Sequence, residues 1–220
     1  MTKFYTFILP AHNEEQSINR ALNSLFAQKL GKEIGLNIYV VCNGCTDNTE
    51  KVARKYTKTY SIKEKNVSLA RNYGGNKVSG EVMVFLDADT LINKNIIEKI
   101  NNIKSNSFFG TCKVKPDDSN LMNNLYCRLK NLFGLLGIHN ASGIIFCSKN
   151  IFDKVKFNGD IAVHENQDFS KHAKKYGKRY FLNSYVITSM RRYDKLGYFG
   201  VLKYTIRRFF LKDKYYPAIR

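Results

Sequence analysis

The feature of this sequence that most restricts its fold is an alternation, over the first ninety residues, of uninterrupted apolar runs with helical segments. The predicted strands are Phe4–Leu9, Ile38–Cys42, Thr57–Ile62 and Val82–Leu86. The segments between them carry apolar side chains at helical spacing, as Ile18, Leu22 and Leu25 do. Strands that are apolar on both faces occur in parallel sheets covered by helices on both sides. The pattern therefore predicts an α/β fold with a doubly wound, mostly parallel central sheet.

The helices of this first part are predicted from their capping residues. The first helix covers 14–27, the second begins after a cap at Thr46 or Asp47, and the third runs from a cap at Ser68 through Val78. Each lies between two predicted strands, as the crossover helix of a parallel sheet must.

After Asp89 the alternation is less regular. We predict a helix at 93–104, a strand at Phe108–Val114, a helix at Leu121–Leu136, a strand at Gly143–Cys147 and a strand at Tyr180–Thr188. No linker rich in Pro, Gly or Ser separates this part from the first, and the chain has only three prolines. We therefore predict that the same sheet continues, in one domain over residues 1–194 with halves 1–90 and 91–194, followed by a tail at 195–220.

The chain is strongly basic, with 36 Lys and Arg against 18 Asp and Glu and a formal net charge of +18. Residues 171–220 hold 14 of the basic side chains and only 2 acidic ones. Such a surface attracts phosphate-rich partners, which include nucleic acid, anionic lipid headgroups and nucleoside diphosphates. Charge alone does not choose among them.

The tail begins with a basic amphipathic helix over Lys195–Leu211, in which Lys and Arg border bulky apolar residues. It is interpreted either as a terminal helix packed on the domain or as an interfacial helix on an anionic membrane. No run approaches the roughly 18–20 apolar residues that cross a bilayer. Met1–Pro10 also lacks the pattern of a signal peptide. We expect a cytoplasmic protein, peripheral on the cytoplasmic membrane face if the helix is interfacial.

Five cysteines, an odd number at irregular spacing, fit reduced thiols better than a disulfide framework. Cys42 and Cys45 form a C-x-x-C pair, but no second pair follows at the spacing of a zinc ribbon. Small buried thiols are the favoured interpretation, and a metal or redox role is the alternative.

Polar segments follow three of the predicted strands, at His12–Glu15, Asn43–Asp47 and Asp87–Asp89. The carboxyl ends of parallel strands meet at one edge of the sheet, where doubly wound folds bind ligands. Asp87 and Asp89 can present carboxylate oxygens to a hard divalent cation and leave coordination sites for substrate phosphates. The alternative for this pair is a polar turn that ends a strand.

Four segments, in this order and spacing, resemble those of the family 2 glycosyltransferases, which are nucleotide-sugar-dependent enzymes with the GT-A fold. They are Phe7–Glu15, Val40–Thr49, Ala70–Gly74 with the following Gly80-Glu81, and Phe85–Thr90. Any one of them is a weak signal, whereas four in register over about ninety residues are a strong one. The resemblance implies a GT-A-like fold in which residues 1–90 form the nucleotide-sugar-binding half and residues 91–194 the acceptor half.

The same resemblance implies roles for the polar loops. The base and ribose of the donor nucleotide would be held by the first two loops, through Pro10, His12, Asn13, Glu14, Asn43 and Asp47. Arg71 would face the donor diphosphate, and a solvated charge on a helix is its alternative. Arg191 and Arg192 would clamp the donor diphosphate or an acceptor phosphate.

Asp87 and Asp89 match the metal-binding D-x-D of the family. The resemblance implies that Mg²⁺ or Mn²⁺ binds there and bridges the diphosphate of the donor, so that Asp87 also counts among the nucleotide-sugar-binding residues. Loss of the metal should then abolish transfer.

The segment His164–Phe169 lies where the family shows an acidic cluster at the start of a helix. Inverting transfer needs a carboxylate that removes the proton of the acceptor hydroxyl. Asn166 stands at the position of the usual base and cannot accept a proton. Asp168 is the first candidate and Glu165 the second, with His164 or an inactive site as further alternatives. A charge pair at a helix N-terminus is the structural alternative.

The sequence therefore predicts a metal-dependent, inverting glycosyltransferase that moves a sugar from a nucleotide diphosphate sugar to a hydroxyl or lipid-phosphate oxygen near a membrane. His139 and Asn140 are candidates for its acceptor pocket. One alternative is a basic nucleic-acid-binding module that uses the 14 Tyr and 15 Phe for stacking, but the RRM, KH and zinc-finger signatures are missing, so we expect no nucleic-acid partner. Another is a non-catalytic membrane-surface protein on a degenerate transferase fold.

Overall fold

The computed structural model describes residues 2–137, 143–161 and 164–211. Within these ranges the strands are β1 Lys3–Ala11, β2 Ile34–Asn43, β3 Lys58–Ile62, β4 Val82–Leu86, β5 Thr90–Ile92, β6 Phe108–Pro116, β7 Ile144–Ser148 and β8 Lys178–Thr188. The helices are α1 Ile18–Phe26, α2 Thr49–Ala53, α3 Val67–Lys77, α4 Ile96–Asn101, α5 Leu121–Leu135, α6 Lys149–Val155, α7 Glu165–Ala173 and α8 Arg191–Leu211.

These strands form one sheet in the order β3-β2-β1-β4-β7-β6-β8-β5. The first four strands are parallel, as is the pair β6 and β8. Strand β7 is antiparallel to both of its neighbours, and β5 is antiparallel to β8. The predicted α/β fold with a mostly parallel central sheet is confirmed, and so is the prediction that the second half continues the same sheet.

Helices cover both faces of the sheet because side chains alternate along each strand. In β1, Phe7 and Leu9 pack in the cluster that contains α1, α2, α4 and α5, whereas Ile8 packs in the cluster that contains α3, α6 and α7. All three side chains are fully buried. Burial on both faces is what makes β1 and β4 read as continuous apolar runs in the sequence.

A crevice opens where β1 and β4 lie side by side. From β1 the chain crosses to β2 on one side, and β4 pairs with β1 on the other, so the sheet changes its winding direction between them. Pairing of β1 with β4 ends at Ile8, whereas pairing with β2 continues to Ala11. Pro10, which has no N–H to donate, lies in this one-sided stretch. The carboxyl end of β1 thus leaves room for the polar loops that follow.

The structure differs from the sequence-based expectation at two helix starts. Asn66, not Ser68, caps α3, because its extended backbone lets Oδ1 accept the N–H of Leu69 at 3.0 Å. Helix α2 begins at Thr49, whose N–H donates to Asp47 Oδ1 at 3.0 Å, so Asp47 supplies the capping oxygen from just outside the helix. The short edge strand β5 and helix α6 were not predicted.

Helix α8 begins at Arg191, four residues before the expected tail, and is interrupted at Gly197, whose φ of 65° and ψ of 166° are not helical. Its start packs on α5, where Tyr193 and Tyr198 contact Tyr126 at ring-centroid distances of 4.8 and 5.8 Å. In the described part of the chain, no helix combines the length and the apolarity needed to cross a membrane.

Candidate functional site

The loops after β1 and β2 are joined side by side at the carboxyl edge of the sheet. His12 is buried, and its Nδ1 lies 2.8 Å from the carbonyl oxygen of Asn43. Because a carbonyl only accepts, Nδ1 is the donor in this hydrogen bond. Asn13 has a left-handed backbone with φ of 54° and pairs with Thr46, whose N–H donates to Asn13 Oδ1 at 2.8 Å. The structure brings His12, Asn13 and Asn43 together, as expected.

Asp47 orders the same pair of loops. Its Oδ1 accepts the Thr49 N–H and, at 2.5 Å, the Thr49 hydroxyl, while its Oδ2 accepts the N–H of Glu15 at 3.2 Å. Partial burial acts to raise the pKa of Asp47, but these hydrogen bonds outweigh it and hold the pKa below its usual value. The carboxylate is therefore charged and held in place between the two loops.

The C-x-x-C pair lies at the foot of these loops. All five cysteines are free, and Cys45 donates a weak hydrogen bond to the carbonyl of Ala11. The hydrogen bond with Cys45, together with burial, raises the pKa of Cys42 above its usual value. Cys42 is a buried thiol, as predicted. Cys45 is only half-buried, and its hydrogen bond with Cys42 lowers its pKa to about 7.

Asp87 and Asp89, directly after β4, line a cleft between the sheet edge, α5 and the start of α8. Their side chains are 36% and 23% exposed, so both carboxylates reach solvent. Arg71 donates to Asp87 Oδ1 at 2.8 Å, and Arg191 donates to Asp89 Oδ2 at 3.1 Å. Each aspartate of the D-x-D pair is thus oriented by its own arginine.

Arg71 differs from both expectations for it. It is only 1% exposed, so it is neither a solvated helix charge nor open to a diphosphate. Its Nη1 donates to Asn166 Oδ1 at 2.9 Å and to Glu165 Oε1 at 3.1 Å, and its guanidinium lies 5.0 Å from the ring centroid of Phe157. Arg71 therefore acts as a buried connection between Asp87 and the start of α7.

Glu14 also differs from its expected role at the nucleotide. Its side chain is buried, and both carboxylate oxygens accept from Arg191 Nη2 at 2.5 Å. Burial opposes the charge of Arg191, yet the bonds to Glu14 and Asp89 raise its pKa above the usual value. Glu14 and Arg191 thus tie the loop after β1 to Asp89, and Arg191 also lines the cleft.

The two candidate bases occupy different positions on α7. Glu165 contacts Arg71. Asp168 lies one turn later, and the distance from its Oδ1 to Nδ1 of His172 is 3.6 Å. The Asp168 side chain is 22% exposed. His164 precedes the helix with a left-handed φ of 67°. His139 and Asn140, the candidates for the acceptor pocket, lie outside the described residues.

Arg192, a residue expected at the site, reaches the cleft from α8. Three further side chains there were not predicted from the sequence: Lys130 and Tyr126 reach the cleft from α5, and Tyr193 reaches it from α8. Tyr193 donates to the Tyr126 hydroxyl at 2.7 Å. Burial lowers the pKa of Lys130 to about 8, and the charge of Arg192 acts in the same direction. The available signal was the helical spacing of Lys130 from Asn123 and Cys127, which puts all three on the inner side of α5.

The donor set of the cleft fits a hard divalent cation. Two carboxylates, Asp87 and Asp89, face the same space, and each is oriented through one oxygen. Within residues 2–137, 143–161 and 164–211, no group of three or more His, Cys, Asp or Glu side chains that could hold a metal occurs. Mg²⁺ commonly uses one or two protein carboxylates and completes its shell with phosphate oxygens and water. The pair suits an ion that binds together with a diphosphate.

Comparisons with known proteins show the family of the chain. Residues 6–148, more than half of the chain, match the family model described as Glycosyl transferase family 2. Glycosyltransferase AglE of Haloferax volcanii is 32% identical over 93 residues, which are 39% of this chain and 30% of AglE. Poly(ribitol-phosphate) beta-N-acetylglucosaminyltransferase TarS of Staphylococcus aureus is 30% identical over 105 residues, or 44% of this chain and 18% of TarS. The chain spans less than a third of the length of either relative.

Solved structures share the fold. TarS 1–349 in complex with UDP-GlcNAc has a TM-score of 0.67 and 19% sequence identity, and the match covers 87% of this chain and 59% of that one. Mannosyltransferase PcManGT from Pyrobaculum calidifontis, in complex with GDP-Man and Mn²⁺, has a TM-score of 0.68 and 15% identity, over 94% and 65% of the two chains. The GT-A-like fold is thereby confirmed.

The family match begins within β1 and ends with β7. It therefore includes the polar loops after β1 and β2, the aspartates after β4 and the crevice between β1 and β4. The chain belongs to glycosyl transferase family 2.

Proposed function

We propose that the chain is a metal-dependent, inverting glycosyltransferase that moves a sugar from a nucleotide diphosphate sugar to a hydroxyl or lipid-phosphate oxygen. The observation that carries the proposal is the pair Asp87 and Asp89, which lines a cleft at the switch point of the sheet with each carboxylate oriented by an arginine. TarS binds UDP-GlcNAc and PcManGT binds GDP-Man with Mn²⁺ on the same fold.

The donor would extend from the first two polar loops to the cleft that Asp87 and Asp89 line. The loop residues Asn13, Asn43 and Asp47 supply acceptors and donors suited to a base and a ribose. Lys130 and Arg192 bring positive charge to the side of the cleft where the diphosphate would lie. Glu14, Arg71 and Arg191 would act through the groups that they orient and not by contact with the donor.

Mg²⁺ or Mn²⁺ would be held by Asp87 and Asp89. When bound, such an ion neutralises negative charge on the diphosphate that departs. The hydrogen bonds from Arg71 and Arg191 fix the direction in which the two carboxylates point. Their fixed geometry means that little reorganisation is needed when the ion binds.

Inversion requires one carboxylate opposite the departing diphosphate. The base takes the proton of the acceptor hydroxyl, the acceptor oxygen bonds to the anomeric carbon, and the bond from that carbon to the diphosphate oxygen breaks. We assign Asp168 as this base. Glu165 forms an ion pair with Arg71, whereas the charged partner nearest to Asp168 is the imidazole of His172 and not an arginine.

A screen of nucleotides by thermal denaturation tests the proposed function. UDP, GDP and their sugars are compared with and without Mn²⁺. At ~100 times the dissociation constant, the matching nucleotide should raise the melting temperature by roughly 5–10 °C in a metal-dependent way. If no nucleotide shifts the transition and RNA binds instead with strong salt dependence, the nucleic-acid interpretation replaces the transferase.

The base assignment is tested by a pair of isosteric variants. Asp168→Asn should lower the transfer rate by about 10²-fold or more and leave nucleotide affinity unchanged, because only the proton acceptor is lost. Glu165→Gln, the matched control one turn earlier, should retain a larger share of the transfer rate. Equal transfer by wild type and Asp168→Asn, or donor hydrolysis that neither variant changes, would remove the assignment.

A further inference from the structure

Helix α5 has two different faces. Asn123, Cys127 and Gly134 are buried, and Tyr126 and Lys130 line the cleft. The other side of the helix presents eight large apolar side chains that are each 45–80% exposed. This α5 apolar face consists of Leu121, Met122, Leu125, Leu129, Leu132, Phe133, Leu135 and Leu136. Single exposed apolar residues are common on protein surfaces, but a continuous apolar face on one helix indicates an interaction site.

The start of α8 packs against α5. Tyr198 hydrogen-bonds Asn123, and the rings of Tyr193 and Tyr198 contact that of Tyr126 at tilted angles, so the first turns of α8 are fixed against the inner side of α5. Phe199, next to Tyr198, is 88% exposed. It adds exposed apolar surface close to α5.

The charges of these helices point to the chemistry of the partner. Residues 121–135 contain no acidic residue, and Arg128 is exposed, whereas Lys130 lines the cleft. On α8, Arg191 and Arg192 also line the cleft, and Lys195 and Lys203 are exposed. Exposed apolar residues bordered by Lys and Arg are the composition that binds the headgroup boundary of an anionic bilayer. A protein partner for so basic a surface would itself have to supply apolar and acidic groups together.

We propose that the α5 apolar face docks on an anionic lipid bilayer. The inner side of the same helix lines the cleft, so docking sets the mouth of the cleft beside the lipid headgroups. This proposal rests on the proposed function. It adds that the acceptor is a molecule displayed at a membrane surface. It also assigns the main membrane contact to α5, whereas the sequence pattern predicted a membrane contact in the region after Lys195.

Vesicle co-sedimentation of the full chain tests the docking. The double variant Leu125→Gln/Leu132→Gln removes two central leucines with a residue that keeps helix propensity. Phe26→Gln/Leu30→Gln is the matched control, since these residues are similarly exposed elsewhere. With vesicles of phosphatidylglycerol and phosphatidylcholine, the α5 variant should bind at least about tenfold more weakly than wild type, and the control should bind as wild type does.

A fluorescence experiment checks insertion directly, because the chain contains no tryptophan. Leu129→Trp introduces the only one at the centre of the α5 apolar face, and Phe26→Trp is its control. Anionic vesicles should shift the emission of Leu129→Trp to shorter wavelength and leave Phe26→Trp unchanged. Nucleotide binding is measured alongside, so that failure of docking is distinguished from failure of the proposed donor site.

Three results would overturn the proposal. Wild type could fail to bind anionic vesicles, the α5 variant could bind them as well as wild type does, or Leu129→Trp could respond to protein concentration without lipid. The last result, together with a dimer by light scattering that the double leucine variant dissociates, would assign the face to a second copy of this chain.

Discussion

Replacing Arg71 with methionine is expected to lower the free energy of unfolding by about 3 kcal/mol, because it leaves two carboxylates without their shared cation. Arg71 is 1% exposed and bonds both Asp87 and Glu165. Loss of a buried partner costs ~3–5 kcal/mol, and the partial exposure of Asp87 argues for the lower end of that range. Urea denaturation followed by circular dichroism measures the change.

The control for this prediction is Arg54→Met. Arg54 also pairs with a glutamate, Glu50, but its side chain is 59% exposed, and a surface pair of this kind contributes about 0–1 kcal/mol. Arg71→Lys keeps the charge but not the fork that reaches Asp87 and Asn166 together, so it should lie between wild type and Arg71→Met. A cost for Arg71→Met no larger than that for Arg54→Met would show that the buried connection contributes little.

Replacing Asp89 with asparagine is expected to lower the transfer rate by at least about 10²-fold and to remove its dependence on Mn²⁺. Asparagine keeps an oxygen that Arg191 can still bond, so the fold should be retained while one anionic ligand is lost. Asp153→Asn, in a surface ion pair with Lys149, is the control and should leave the rate unchanged. A variant that folds and still transfers sugar with the same metal dependence would contradict the D-x-D assignment.

The first half of the fold follows from local patterns. Strands β1 and β4 are buried on both faces, so their apolar runs stand out without knowledge of their neighbours. Strand β2 is buried mainly over its second half, and the edge strand β3 has one buried residue, so its pattern is weaker. The polar loops after them could be assigned to one edge because parallel strands end together. Strand β5 has only three residues, too short for an alternation to be detected, and its position depends on its pairing with β8.

The roles of the charged residues depended on tertiary contacts. Arg71 meets Glu165 and Asn166, which lie 94 and 95 residues away in the chain, and Arg191 meets Glu14 at a separation of 177. Motif position predicts that these residues lie near Asp87 and Asp89, and the structure places them in contact with those aspartates or their partners. Motif position could not tell direct contact with a ligand from orientation of a neighbouring carboxylate, since that distinction depends on burial.

The exposure of the α5 apolar face could not be predicted from the sequence either. Its apolar spacing predicts a helix that covers a sheet, and its inner side does so through Cys127. Only the structure shows that most of its leucines face outwards, because the inner side is occupied by Asn123, Tyr126 and Lys130.

The central claim is that Asp87 and Asp89 hold a cation that in turn holds a diphosphate. Titration calorimetry of the nucleotide selected in the thermal screen, with and without Mn²⁺, measures this linkage in wild type and in Asp87→Asn/Asp89→Asn. The account predicts that Mn²⁺ tightens nucleotide binding at least about tenfold in wild type and has no effect in the double variant. Equal tightening by Mn²⁺ in both proteins, or none in either, would contradict it.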